Sequence, residues 1–213
     1  MTPEEARALF LPIHGVVGVL ALVGGFGALL VAKGSPAHRW LGRLFALSMA
    51  GATLAAAPVI LVTENRFLAG MGAFAAYMTF IGWRIGRQKE RAGGRLDQAV
   101  ALLAVVGGLG FAIFGASALL RGHALGLVPV AMGLGAALFA RVHLRWFRGD
   151  RATRRRWVAM HLGAIGGGLI AGLTAFSAAV LTNYLPSVPE PLVWLAPTAL
   201  LSPLLQRASK RYG

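Results

Sequence analysis

The chain has 213 residues, of which 57% are hydrophobic and only 13% charged, with a net charge of +14 and no cysteine. A soluble globular domain carries about a quarter charged residues, so the composition argues for lipid as the solvent of this fold. The basic residues sit in clumps between apolar runs and not on one polar surface, which argues against a nucleic-acid partner, and without thiols there is no disulfide, thiolate metal site or cysteine nucleophile.

A spanning helix needs about 20 mostly apolar residues to cross a hydrocarbon core of about 30 Å. Runs of that kind fall at roughly 10–32, 40–62, 67–84, 98–120, 124–147, 158–182 and 189–205, which predicts an all-α bundle of seven transmembrane helices in a single domain, 1–213. The first run follows Glu4 and Glu5, not a basic segment, and is too long for a signal peptide; it is expected to stay as a helix, with His14 in its outer part. The second opens with His38, Arg39 and Trp40. In the third, Tyr77 and Arg84 are seven residues apart and so share a face. The fourth opens with Asp97, and the fifth ends with His143 between Arg141 and Arg145. The sixth carries His161 one turn inside its start, on a stripe continued by Ala164, Gly168, Gly172, Ala175 and Ala179; small residues of this kind let membrane helices approach closely. The seventh is interrupted by Pro191, Pro197 and Pro203, tolerable in a membrane only where neighbours satisfy the freed backbone groups.

The connections set an expected orientation. Lys33, Arg39 and Arg43 flank the first turn; Arg84, Arg87, Lys89, Arg91 and Arg95 the third; Arg141, Arg145, Arg148, Arg151, Arg154, Arg155 and Arg156 the fifth; Arg207, Lys210 and Arg211 the tail. Only Arg7, Arg66 and Arg121 of the 21 basic residues fall on the other side. The positive-inside rule then puts the N-terminus outside and the C-terminus in the cytoplasm of a bacterial inner-membrane protein. Trp40, Trp83, Trp146 and Trp157 mark the same inner ends, where indole rings favour the headgroup layer. Partners expected on this basis are the bilayer itself, anionic lipid headgroups at the cytoplasmic face, and a membrane protein or a second copy against the glycine-rich helix faces.

The string from Lys33 through Gly34, Ser35, Pro36, Ala37, His38, Arg39, Trp40, Leu41 and Gly42 to Arg43 follows a helix that opens with His14. It is followed in order by Tyr77 with Gly82-Trp83-Arg84, by Asp97, by His161 with Thr174-Ala175-Phe176, and by Trp194-Leu195-Ala196-Pro197-Thr198. This order resembles the bacterial predicted-membrane-protein family catalogued as domain of unknown function 2306, and the likeness covers most of the chain. The resemblance implies a multi-helix membrane protein without an assigned activity, and marks His14, His38, Arg39, Tyr77, Asp97 and His161 as pattern positions. His123 and His143 lie outside that pattern.

Ionisable groups inside a membrane are costly and are candidates for function. His161 could ligate haem iron, with His143 at matched depth on the preceding helix or with His38 on the same side as the second ligand. His161 is also readable as a histidine bonded to a neighbouring helix, His143 as an interfacial side chain between Arg141 and Arg145, and His38 as part of a solvated turn. His38 and Arg39 could also hold a lipid phosphate or a quinone headgroup. Asp97 is either a helix N-cap and arginine partner or a proton relay. Tyr77, Arg84 and Asp97 could line a polar pocket. His14 is separated from His161 by the bilayer thickness, so the two cannot share one ion. No HExxH, phosphate-binding glycine loop, serine-nucleophile motif or paired intramembrane carboxylate occurs. Three functions follow: a redox or haem b-associated membrane protein with an inner-leaflet histidine site, a small-solute carrier or lipid-binding protein, and a non-catalytic accessory subunit of a membrane complex.

Overall fold

A computed structural model describes residues 1–89, 91, 93–149, 156–184 and 186–210. Arg151, Arg154, Arg155 and Arg211 of the basic clusters lie outside the described residues. The described residues form seven α-helices and no strand: α1 Pro3–Leu30, α2 Pro36–Thr63, α3 Arg66–Gln88, α4 Arg95–Leu120, α5 Leu127–Arg148, α6 Trp157–Tyr184 and α7 Glu190–Ser209, with a 3-10 turn at Ala124–Gly126 before α5. Five of the helical stretches are long and apolar enough to cross a membrane: α1, α2, α4, the stretch Ala124–Arg148 that contains α5, and α6 up to Thr182. The other two carry more polar sequence. Arg66, Arg84 and Arg87 lie in α3, and α7 holds Glu190, Arg207 and interior prolines at 197 and 203.

Local chemistry explains where the helices begin and end. The Thr2 hydroxyl accepts the Glu5 amide at 3.2 Å while the Thr2 amide donates to Glu5 Oε2 at 2.8 Å, a capping box that starts α1 seven residues before the apolar run begins. Ser35 caps α2 through the His38 amide, with Pro36 at the first helical position. Gly34 adopts φ +77 in the α1–α2 turn and Gly122 φ +83 after α4, conformations that favour glycine.

The chain divides into two compact units, Met1–Ala76 and Tyr77–Gly213, with the division inside α3. In the first, α1 and α2 form an antiparallel hairpin. A Cβ on Gly24 would lie 2.7 Å from the Phe45 amide nitrogen, and Phe45 is 1% exposed. In the second unit α4 and α5 cross at two reciprocal glycine contacts, Gly108 with Gly133 and Gly115 with Gly126. A Cβ on Gly108 would sit 2.7 Å from the Gly133 carbonyl oxygen and 2.8 Å from the Ala137 amide. In lipid such backbone-to-backbone approach is a main source of helix association, because apolar side chains gain little by leaving hydrocarbon.

Helix α6 packs on α3 along its first half. Gly82 faces Ile165, Gly86 faces the His161 ring, and Gly168 faces Thr79. The buried positions of α6 run through Ala164, Gly168, Ala171, Thr174 and Ala178, whereas Ala175 and Ala179 are exposed. The stripe expected from the sequence is thus buried at Ala164 and Gly168 and exposed at Ala175 and Ala179. Of the four expected interfacial tryptophans, Trp40 is 62% and Trp83 36% exposed, with the Arg87 guanidinium 5.0 Å from the Trp83 ring centroid. Trp146 differs: it is 2% exposed and stacks edge-on against Phe147 at 5.3 Å.

Candidate functional site

The second unit holds two groups of buried polar side chains on one side of α3. At about 100° per residue, Tyr77, Ile81, Arg84 and Gln88 fall on one face of that helix. At the C-terminal end of this face Asp97, fully buried, is gripped from four directions. Arg84 Nε donates to Oδ1 at 2.7 Å and Arg84 Nη2 to Oδ2 at 3.0 Å. Gln88 Nε2 donates to Oδ2 at 2.7 Å, and the Gly94 amide to the same oxygen at 2.8 Å. Asp97 is the third residue of α4 and thereby satisfies the amide just before the helix. The bidentate guanidinium fork ties α3 to α4 across the intervening turn. On the far side of that turn, Gly93 lies against the Phe147 ring, with no room for a Cβ.

About two turns earlier on the same face, the Tyr77 hydroxyl and His143 Nδ1 of α5 are hydrogen-bonded at 2.8 Å. The phenol donates when Nδ1 carries the lone pair. Tyr77 is 7% and His143 1% exposed, and Phe139 stacks on the imidazole at 6.4 Å. His143 thus does not snorkel towards the basic end of α5 but turns inward. Ile81, fully buried, stands on α3 between this pair and the Arg84 clamp, so the two polar groups are separate.

His161, on α6, packs against a different face of α3. Its Nδ1–H donates to the Gly82 carbonyl at 2.8 Å, and the ring covers Gly86. Gly82 and Gly86 are rotated by about 140° and about 180° from Tyr77 around the helix. The body of α3 therefore stands between His143 and His161, and one iron cannot take both. Matched depth in a helical hairpin had suggested the pair; the azimuth of each ring, set by which side of α3 it packs on, separates them.

In the first unit His14 and His38 make the same kind of bond. His14 Nδ1–H donates to the Ala52 carbonyl at 2.9 Å, and His38 Nδ1–H to the Ala28 carbonyl at 3.0 Å. Lys33 Nζ donates to the carbonyls of Ala28 and Leu29 at 3.0 and 2.6 Å, and Arg39 Nη1 to Gly34 at 3.2 Å. Of the two groups expected to meet a phosphate here, His38 folds back with Lys33 onto the last carbonyls of α1, and Arg39 onto a carbonyl of the α1–α2 turn. Among the described residues no three His, Asp or Glu side chains gather in a way that would hold a metal ion.

Sequence reasoning did not anticipate Gln88 as a ligand of Asp97 or the Tyr77 to His143 bond. The seven-residue spacing of Tyr77 and Arg84 was the available signal for a polar face on α3, but the depth and direction of His143 had none. The chain matches no family model, no curated protein and no solved structure.

Proposed function

We propose that the protein is a seven-span bacterial inner-membrane carrier of a small solute, with its N-terminus outside and its C-terminus in the cytoplasm. The observation that carries this reading is the buried Tyr77 to His143 hydrogen bond between α3 and the membrane-length helix α5. A tyrosine and a histidine held together inside a membrane are costly, and they offer a proton that can be passed or shared with a bound solute. The Arg84 to Asp97 clamp would then close the cytoplasmic end of the same face of α3. Five apolar helices and the one-sided arginine clusters support the topology. The test is transport current on a solid-supported membrane, recorded for a panel of amino acids, sugars, carboxylates and amines. One solute is expected to give a transient that disappears in Tyr77→Phe and His143→Leu. Silence across the panel, or a transient unchanged in both variants, overturns the reading.

A redox function with haem b is the second reading, and one observation favours it. His161 donates Nδ1–H to the Gly82 carbonyl, the arrangement that orients iron-ligating imidazoles. Oxidised and dithionite-reduced spectra of protein purified from haem-replete cells decide it. A Soret band lost in His161→Ala supports the redox reading, and a colourless preparation removes it.

A further inference from the structure

A groove runs between α6 and α7, and it is independent of the carrier reading. Its walls are Leu173, Ser177 and Leu181 on one helix and Leu192, Ala196 and Leu200 on the other, enclosing a cavity of about 410 Å³. At 1.5 Å per residue each wall is about 12 Å long, close to half of a hydrocarbon core of about 30 Å. A transmembrane helix of a second copy would need the full thickness, whereas one leaflet's acyl chain needs half. The groove opens towards the α6–α7 connection, where a second cavity shares Val188 with it and is lined by Thr182, Ser187 and Glu190. An apolar trough one leaflet long thus ends at two hydroxyls and one carboxylate.

We infer that this groove holds the acyl chain of one phospholipid with an ethanolamine head, whose ammonium group meets Glu190. Attraction of an ammonium to Glu190 sets the preference for this head over glycerol-headed lipids, which carry only negative charge there.

The test uses the full chain extracted from nanodiscs of equal ethanolamine- and glycerol-headed phospholipid and examined by native mass spectrometry. Wild type is expected to retain one ethanolamine lipid. Ala196→Phe and, from the opposite wall, Ser177→Phe are each expected to lose it while eluting as monodisperse helical protein. Glu190→Gln is expected to keep a lipid but to lose up to about five-fold of the head preference, the worth of one exposed ion pair. The inference is overturned if wild type retains no lipid or retains both heads equally. It is also overturned if Leu192→Cys, the sole thiol in a chain without cysteine, forms a disulfide dimer in nanodiscs, since a second copy then covers the groove.

Discussion

The two units treat polar side chains inside apolar helices in different ways. In the first, His14, His38 and Lys33 all bond to backbone carbonyls. In the second, His161 also bonds to a carbonyl, but the other buried polar side chains bond to each other: Tyr77 to His143, and Arg84 and Gln88 to Asp97. The difference lies in what is left behind when a partner is removed. The Ala52 carbonyl, inside α2, keeps its own helical bond if His14 leaves. A buried carboxylate or imidazole that loses its side-chain partner keeps nothing, and the desolvation cost then falls on it in full. The second unit therefore concentrates the residues whose loss matters, whether for stability or for activity.

The comparison predicts a graded series, read as unfolding free energy in mild detergent. Asp97→Ala is the most damaging. It removes the anion from a clamp of four donors, and although Arg84 is 32% exposed and can reach water, the loss is expected to be about 3 kcal/mol. The double replacement of Asp97 by Leu and Arg84 by Met should recover part of it, because no uncompensated charge remains. If the single and double variants are equally unstable, the clamp is not the cause.

Next comes Gly108→Val, which must separate α4 from the Gly133 and Ala137 backbone and should cost about 2–3 kcal/mol. The same substitution at Gly107, where a Cβ meets nothing, should cost well under 1 kcal/mol, in line with exposed positions generally. Equal effects at the two neighbours would mean that the α4–α5 crossing is looser than described. Tyr77→Phe keeps the ring and strands His143 Nδ1, for an expected loss of about 1–2 kcal/mol. The smallest effect falls in the first unit: His14→Leu should cost about 0.6 kcal/mol, typical of interhelical hydrogen bonds measured in membranes. A His14→Leu loss as large as that of Tyr77→Phe would erase the distinction between the units.

Much of the secondary structure was legible because lipid imposes a coarse rule, about 20 apolar residues per crossing, and punctuates it with charge. Basic clusters mark the α1–α2 turn from Lys33 and the ends of α3 at Gln88 and of α5 at Arg148 by composition alone. Boundaries slipped where capping chemistry overrode apolarity, as at Thr2 and Glu5, which extend α1 to Pro3. The site was less legible. Asp97 stood out as an acid among arginines, but which arginine it meets depends on α3 and α4 folding back on each other. His143 looked interfacial because Arg141 and Arg145 surround it in sequence, yet residues two apart on a helix point in widely different directions. The ring turns to Tyr77 and the arginines to the surface.

What the sequence determined by itself is periodic and local: an all-helical chain, helices of membrane-crossing length and apolarity, and the caps and glycines that end them. Those follow from the backbone's need to satisfy its own hydrogen bonds wherever water is absent. What only the tertiary structure decided is azimuthal, namely which side of α3 each imidazole occupies, which helix backbones touch at glycine, and which polar groups share a face. A rotation of one residue, about 100°, changes every such partner, and composition carries no record of it.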